Sequence, residues 1–208
     1  MPSRSRSTDT RERLIQSGIV LFQRNGFHAT GLNEVLQDAG VPKGSFYHYF
    51  QSKEHFAADA IREYITPYID QLESLLDAEN GLRMIDRLRG YYDHHVGEFE
   101  SKGTLSGCLL GNLLGEIGVN NPLALTEIGQ SVNRYCDVLS RIIAAIQSEG
   151  DLQPDLSPKS LAATLFDAWQ GALLRTQSEQ SPRPLRQFLD SSFPRLIGPI
   201  WILQALAS

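Results

Sequence analysis

The spacing of apolar residues constrains the fold of this chain more than any other feature. Apolar residues recur at helical intervals, as Leu32, Val35 and Leu36 do, and no stretch shows the apolar–polar alternation of a half-buried strand. Beyond the N-terminal part, amphipathic segments with this spacing cover about 82–100, 106–118, 124–149, 158–178 and 185–206. The sequence therefore predicts an all-α protein.

Composition excludes several classes of protein. The chain has 208 residues, 41% hydrophobic and 21% charged, as globular proteins do. Its two cysteines, Cys108 and Cys136, are 28 positions apart, which suits neither a disulfide scaffold nor a zinc site. Neither a signal peptide, nor an apolar run long enough for a membrane helix, nor a cofactor motif is recognisable. We expect a cytoplasmic protein without a cofactor or metal and without a membrane partner.

Charge is distributed unevenly along the chain. Residues 1–62 contain eight Lys and Arg against six Asp and Glu, a net charge of +2. The whole chain carries −5, so the remainder carries −7. A mildly basic head on an acidic body is typical of a protein that touches phosphate groups at one end only, although chance clustering of charge produces the same count.

Capping and turn residues predict the first helices. Helix 1 is expected to begin near Asp9, which pairs with Glu12 as a cap, and to end at Gly26, where the missing Cβ permits left-handed backbone. Thr30 is expected to cap a short helix 2, and Gly40 to make the turn that follows it.

Two further helices follow this turn. Helix 3 is expected over Pro42–Phe50, since proline is tolerated at a first helical position. Helix 4 is capped by Ser52 and is expected to kink or break at Pro67. Two short helices joined by a glycine-containing turn, with a third helix behind them, form the helix-turn-helix plan of DNA-binding proteins.

The predicted helix over Pro42–Phe50 has two different faces. At about 100° per residue, Phe46, Tyr49 and Phe50 share the side that packs against helices 1 and 2. The other side carries groups suited to DNA, namely Lys43, Gly44, Ser45, Tyr47 and His48. Their side chains donate hydrogen bonds to phosphates or base edges, and the glycine admits close backbone approach. Lys53, at the positive end of the helix 4 dipole, suits an anion. The alternative is a solvated amphipathic helix in a bundle.

The run Ala39–Glu54, within residues 10–56, resembles the DNA-binding domain of TetR-family repressors. The run spans two helices and a cap, so it is more specific than a single short pattern. The resemblance implies operator contacts by Thr30, Lys43, Gly44, Ser45, Tyr47, His48, Tyr49 and Lys53. It also implies a homodimer that reads a palindromic double-stranded DNA operator and forms through the last two helices, about 158–178 and 185–206.

These arguments predict three regions in the chain. Residues 1–8 are expected to form a disordered basic arm, whose Arg4 and Arg6 are suited to a minor groove. Residues 9–56 are expected to form the three-helix helix-turn-helix domain. Residues 57–208 are expected to form a larger helical effector-binding and dimerisation domain.

Two stretches of the body, Ser106–Leu113 and Trp169–Arg175, resemble the NemR/AcuR-like branch of the TetR family. Members of that branch answer reactive electrophiles or small unsaturated acids. The resemblance implies that the effector of this chain belongs to one of these chemical classes and that Cys108 is its sensor thiol.

The residues around Cys108 support this role in part. Ser106 is placed to cap the following helix, which puts Cys108 in a first turn where the helix dipole favours a thiolate. Cys108, Asn112 and Glu116 share one helical face and are predicted to line a polar pocket wall. The alternative for Cys108 is a small buried hydrophobic residue, and Cys136 is interpreted as one.

Two residues of the C-terminal part are further candidates for effector binding. Trp169 is a candidate cavity residue, although aromatic residues at helical spacing more often belong to the core. Arg175 is expected to pair either with a ligand carboxylate or with an acidic neighbour.

The sequence favours a repressor that releases its operator when a small molecule binds or when Cys108 is modified. One alternative is an all-helical enzyme that uses Cys108 as a nucleophile, but the sequence offers no triad spacing. Another alternative is a helical adaptor that binds only protein.

Overall fold

The computed structural model describes residues 6–78, 81–102, 108–117 and 121–198. Within these ranges all regular structure is helical, which confirms the predicted all-α class. The helices are α1 (Arg6–Ala29), α2 (Leu32–Asp38), α3 (Phe46–Tyr49), α4 (Lys53–Asp77), α5 (Met84–Lys102), α6 (Leu109–Ile117), α7 (Pro122–Ser148), α8 (Pro158–Glu179), α9 (Arg183–Gln187) and α10 (Phe193–Ile197). In the described ranges, every helix is too short or too polar to cross a membrane.

The chain divides into two compact units, and the division differs from the expected boundary between residues 56 and 57. The first unit contains the described residues up to Thr66 together with those of Cys108–Ser131, and the second contains the rest. α6 belongs to the first unit because it packs against α1 and buries four apolar side chains. These are Leu109, Leu110, Leu113 and Ile117. The sequence had assigned α6 to the body domain.

α1 differs from the predicted helix 1 at its start and agrees with it near its end. The helix already includes Arg6–Thr8, so this part of the expected disordered arm is helical, and residues 1–5 lie outside the described ranges. Gly26 has φ 80° and ψ 177°, which interrupts the helical backbone where a stop was predicted. The chain then continues to Ala29.

Thr30 does not cap α2, contrary to the prediction. Gly31 occupies the N-cap position with φ −85° and ψ 145°. Thr30 is fully buried instead, and its hydroxyl lies 2.7 Å from the Gly26 carbonyl oxygen and 3.2 Å from that of Leu21. The single hydroxyl proton is therefore shared between two carbonyl groups of α1, with the Gly26 oxygen the nearer acceptor.

Pro67 does not end α4, so a break at this residue is excluded. α4 continues for ten residues beyond it, to Asp77. Proline lacks the N–H that would bond to the preceding turn, so the helix runs on with one backbone hydrogen bond fewer. The boundary between the two compact units falls at this residue, between Thr66 and Pro67.

The core of the second unit contains a cluster of aromatic rings. The Tyr92 ring lies 4.9 Å from that of Trp169 and 5.1 Å from that of Phe188, between centroids. Trp169 and Phe188 are also 5.1 Å apart. Pairs at these separations add to the hydrophobic stabilisation of the rings, which are all buried. They join α5, α8 and the segment after α9.

The last predicted helix, 185–206, is not a regular α-helix. α9 passes into a π-helical segment, Phe188–Ser192, and then into α10, and Gly198 is extended with φ −86° and ψ 158°. The N–H of Phe193 donates to the Phe188 carbonyl, five residues back. Pro194 explains the widened turn, because its ring would clash with the carbonyl four residues earlier in a regular helix. Residues 199–206 lie outside the described ranges.

Candidate DNA-binding surface and sensor helix

Phe56, near the start of α4, packs against the inner side of residues 43–50. These residues include α3 and are called the recognition segment. Its fully buried ring lies 5.3 Å from the Phe46 ring, 4.8 Å from the Phe50 ring and 5.6 Å from the Phe22 ring. Gly18 of α1 makes room for this ring, since a Cβ at Gly18 would lie 2.3 Å from Phe56 Cζ. These contacts turn the two phenyl rings of the recognition segment inward, as the sequence predicted.

The recognition segment is tighter than the predicted helix over Pro42–Phe50. Lys43–Ser45 form a 3₁₀ turn, and only Phe46–Tyr49 are α-helical. Pro42 precedes the turn with ψ 143°, and Phe50 ends the segment in an extended conformation. A 3₁₀ turn, whose hydrogen bonds span one residue fewer than those of an α-helix, is common at a helix start.

The outward side of this segment carries the predicted DNA-binding groups. Lys43, Gly44 and His48 are exposed, and the Tyr47 side chain is 68% exposed. Ser45 and Tyr49 are half-buried, which places Tyr49 at the edge of this side. We call Lys43, Gly44, Ser45, Tyr47 and His48 the reading surface. It presents one cation, two hydroxyls and an imidazole together, all of which are groups able to donate hydrogen bonds to DNA.

Side chains of α1 hold the turn between α2 and the reading surface. The Arg13 guanidinium donates to the carbonyls of Ala39 and Gly40, and Ser17 Oγ donates to the Val35 carbonyl at 3.2 Å. Gly40 has φ 62°, a left-handed conformation that favours glycine. α1 therefore orients the helix-turn-helix through hydrogen bonds as well as apolar packing.

The start of α4 is capped as predicted. Ser52 Oγ accepts the His55 N–H at 3.3 Å. The hydrogen bond from Ser52 also lowers the pKa of Glu54 in the first turn below its ordinary value. A carboxylate at this end is favoured by the helix dipole, so the cap and the charge stabilise the same turn.

Lys53, the predicted phosphate ligand of α4, is turned inward. Its Nζ donates to the Phe27 carbonyl at 2.5 Å and lies 4.4 Å from the centroid of the Phe27 ring. Burial lowers the pKa of Lys53, and the nearby carboxylates of Glu54 and Glu116 oppose this effect. The ammonium group is thus within reach of the protein surface but held by the end of α1.

Cys108 lies one residue before α6 rather than inside its first turn. Its carbonyl accepts the Asn112 N–H at 3.0 Å, and the residue is buried with 9% of its surface exposed. Ser106, the predicted cap, lies outside the described ranges. Cys136 is half-buried on α7, where burial, aided by Asp167 and Asp137, raises the pKa of its thiol to about 11.

Glu116, predicted to line a polar pocket wall, makes its contacts with the end of α1. It is exposed near the end of α6, where its Oε2 accepts the His28 N–H at 3.1 Å. His28 Nε2 in turn donates to the Glu116 carbonyl at 3.0 Å. Asn112, on the same side of α6, is half-buried. This polar stripe therefore leads from Cys108 to the end of α1.

The other two predicted effector residues, Trp169 and Arg175, belong to the second unit. Trp169 is buried in the aromatic cluster, in agreement with the core alternative. Arg175 is half-exposed and donates to Glu179 Oε1 at 2.8 Å and to Gln187 Oε1 at 3.3 Å. It thus pairs with an acidic neighbour in this structure.

Sequence reasoning did not single out Tyr135 or Thr176 as buried polar groups of the second unit. The hydroxyls of Tyr91 and Tyr135 lie 3.2 Å apart, and burial raises the pKa of Tyr135 well above its ordinary value. Thr176 is fully buried on α8, and its hydroxyl has no hydrogen-bond partner within the part of the chain described. Helical spacing places these residues on core faces, so it predicts their burial but not their hydrogen-bond partners.

A buried phenyl cluster under a short exposed segment, on a helix-turn-helix held by α1, defines a DNA-binding protein of the helix-turn-helix class. The N-terminal family model "Bacterial regulatory proteins, tetR family" matches residues 14–60, and "Tetracyclin repressor-like, C-terminal domain" matches residues 84–191. The chain therefore belongs to the TetR family of bacterial transcriptional regulators, as the sequence resemblance implied. It is a regulator and not an enzyme.

Individual relatives agree with this assignment. The chain is 33% identical over 181 residues to the HTH-type transcriptional repressor NemR of Escherichia coli K12, covering 87% of this chain and 90% of NemR. It is 34% identical over 178 residues to the transcriptional regulator AcuR of Cereibacter sphaeroides, covering 84% and 80%. The crystal structure of reduced E. coli NemR aligns over 92% of this chain and 98% of that one, with TM-score 0.83 and 32% identity.

Proposed function

We propose that the chain is a dimeric repressor that binds a palindromic operator and releases it in response to a small-molecule signal. The observation that carries this proposal is the reading surface, whose exposed polar groups lie on the outer side of buried phenyl rings that pack against Phe56. The similarity to a repressor over most of the chain supports repression rather than activation of transcription. A DNA partner also supports a cytoplasmic location for the protein.

The proposed operator contacts divide by role. Tyr47, His48 and Ser45 donate to phosphates, Lys43 donates to a phosphate or a guanine, and Gly44 admits the backbone to the groove. Tyr49 is proposed as a contact at the edge of the surface, where it is half-buried. Lys53 must release the Phe27 carbonyl or share its donors to reach a phosphate. Thr30 was expected to be a contact as well, but its side chain is fully buried and bonds to α1.

The dimer is proposed to form through α8 and the segment 183–197. α8 buries one face in the second unit and exposes a second stripe of Ala163, Asp167, Gly171, Leu174 and Ser178. Leu174 is 67% exposed, and a Cβ at Gly171 would meet no atom within 4 Å. Small residues around an exposed leucine allow a second helix to approach closely. Two reading surfaces in such a dimer would need to lie about one DNA turn apart, near 34–36 Å.

Cys108 is proposed as the sensor thiol, and a reactive electrophile or a small unsaturated acid as the signal. The thiol is buried at the start of α6, so an adduct adds volume where the protein is packed. α6 packs on α1, which holds the reading surface. An adduct at Cys108 would therefore displace α6, which contacts α1 directly, so no other helix would be needed to transmit the change. Thr176, with its unpaired hydroxyl among the described residues, is an additional candidate for hydrogen bonding to a non-covalent effector.

The proposal is tested by selecting DNA from a random pool with the full-length protein and measuring operator affinity before and after treatment with N-ethylmaleimide. Wild-type protein and Cys136→Ser should lose affinity on treatment, whereas Cys108→Ser should retain it. Cys136→Ser is a matched control because both substitutions exchange one sulfur for oxygen. Failure to select any DNA would refute the proposal that the chain is an operator-binding repressor. Equal release by the Cys108→Ser protein would refute the sensor thiol alone.

A further inference from the structure

A continuous series of ion pairs crosses the first unit from α7 to α1. The Glu127 carboxylate on α7 accepts a hydrogen bond from the Arg62 guanidinium on α4 at 2.5 Å. The other terminal nitrogen of Arg62 donates to Asp59 Oδ1 at 3.1 Å. Asp59 Oδ2 accepts from Arg11 of α1 at 2.7 Å. Negative and positive groups thus alternate over four residues on three helices, and we call these four residues the ion-pair network.

The α1 end of the ion-pair network meets the recognition segment. The guanidinium carbon of Arg11 lies 5.6 Å from the centroid of the Phe50 ring, within the range of a cation–π interaction. Phe50 is the last residue of the segment, and its backbone is extended with φ −133° and ψ 132°. Its ring packs against those of Phe46 and Phe56, at 5.2 Å and 4.8 Å between centroids. Arg11 therefore contacts the recognition segment at the residue where its helix ends.

The α7 end of the ion-pair network is anchored in the protein interior. Glu127 is only 4% exposed, and its Oε1 accepts from Ser131 Oγ at 3.4 Å on the same helix. A buried carboxylate loses its hydration, so it is retained only where charged or hydrogen-bonding groups compensate. Arg62, in contrast, has 48% of its side chain exposed and keeps part of its hydration. The buried carboxylate thus fixes the position of a guanidinium that would otherwise be free to move.

Asp59 links the positions of the two arginines. One of its oxygens bonds to Arg11 and the other to Arg62. Arg62 lies three residues beyond Asp59 on α4, so without the charge of Glu127 its planar fork can take both oxygens. Arg11 would then lose its shortest ion pair, since Glu63 lies 3.8 Å away. It would also lose its fixed position against the recognition segment.

We propose that the ion-pair network positions the recognition segment for operator binding and that Glu127 is a positioning residue of this DNA contact. This inference rests on the proposed function, since it takes the recognition segment to bind an operator. Glu127 is buried and does not itself contact DNA, so it acts through the three other members of the network. α7 thereby has an electrostatic connection to the recognition segment, in addition to the packing of α6 on α1.

Operator affinity of the full-length protein tests this inference, with a fluorescent duplex selected by wild-type protein. Glu127→Gln removes the charge and nearly preserves the size of the side chain. It should weaken binding about three- to fivefold, near the upper value for a partly exposed ion pair. The dependence of affinity on salt should not change, because the same phosphates are neutralised. Far-UV circular dichroism establishes that each variant is folded at the assay temperature.

A double substitution separates positioning from stability. In Arg62→Met/Glu127→Gln no guanidinium competes with Arg11 for Asp59, so the ion pair between these two residues is kept. Affinity should therefore return to within about twofold of wild type. A loss of packing or stability at Glu127 would not be repaired by removing Arg62 as well.

Two further variants make the result specific. Glu73→Gln is the matched control, because it also removes an α4 carboxylate from an ion pair with an arginine, Arg141 at 2.7 Å, but in the second unit. It should leave the affinity close to wild type. Arg11→Met breaks the opposite end of the network at a partly exposed residue, so it tests the inference even if Glu127→Gln does not fold. It should weaken binding as Glu127→Gln does, and the two changes together should cost no more than one.

Three results would overturn the positioning role. These are a Glu127→Gln effect no larger than that of Glu73→Gln, a double variant Arg62→Met/Glu127→Gln that binds no better than Glu127→Gln, and Arg11→Met protein with wild-type affinity or a shallower salt dependence. The proposed function survives all three, because wild-type protein still binds the selected duplex. Failure of wild-type protein to select any duplex would refute the operator-binding proposal and this inference together.

Discussion

Substitution of Gly18 by alanine sets a gain in helix propensity against a steric clash, and the structure indicates which is larger. In a helix interior, alanine is more favourable than glycine by about 0.8–1.0 kcal/mol. The new Cβ would lie 2.3 Å from Cζ and 2.7 Å from Cε1 of Phe56, however. The ring cannot rotate away freely, because three other phenyl rings surround it. Overpacking of this kind costs about 1–3 kcal/mol, and the very short distance points to the upper half of that range.

We therefore expect Gly18→Ala to reduce the free energy of unfolding by about 1–2 kcal/mol. Operator affinity should fall as well, since a displaced Phe56 carries Phe46 and the reading surface with it. Urea unfolding at a fixed protomer concentration measures the first effect. Phe56→Leu is the control, because the smaller side chain relieves the clash and Gly18→Ala should then be neutral or stabilising. Stabilisation of the wild-type background by about 1 kcal/mol would show that propensity wins and would refute this reasoning.

The remaining predictions concern binding, hydrogen bonding and reactivity. Tyr47→Ala should weaken operator binding by roughly tenfold, which corresponds to the free energy of about one hydrogen bond to a charged group. The unfolding midpoint should not change, because the side chain is exposed, and a shifted midpoint would contradict its assignment to the surface. Thr30→Val should lower stability by about 1–2 kcal/mol in urea unfolding, since two buried carbonyls lose the hydroxyl; an unchanged midpoint would argue against this bond. With a thiol pKa of about 11, Cys136 should be about one part in a thousand thiolate at pH 8. Its alkylation in the Cys108→Ser protein should accelerate about tenfold per pH unit up to pH 10, and a rate already flat at pH 8 would contradict the raised pKa.

Local sequence was sufficient for the parts of the fold that depend on neighbours along one helix. The inward position of Phe46 and Phe50, the Ser52 cap and the backbone interruption at Gly26 all follow from spacing or from one residue's conformational range. The recognition segment was predicted in place but not in form, because a 3₁₀ turn and a regular helical turn share the same apolar spacing over so few residues.

Predictions that required knowledge of a distant partner were less successful. Thr30 has the residue type of a cap, but the end of α1 provides two carbonyls that bind its hydroxyl inside the protein. For Arg175 the sequence left open a ligand carboxylate or an acidic neighbour such as Glu179, but gave no indication of Gln187, twelve positions away. Glu116 was placed correctly on the polar side of α6, but the neighbour facing that side could not be predicted.

The sequence by itself determined the helical class and the helix-turn-helix and predicted the residues of the reading surface, because periodicity and capping act over distances of a few residues. Only the tertiary structure decided that α6 belongs with α1 and that Glu116 meets His28, 88 positions away along the chain. Such contacts depend on which helices bury their apolar faces against each other. A helix with one apolar side can satisfy that requirement against several neighbours, so its own residues do not specify the partner.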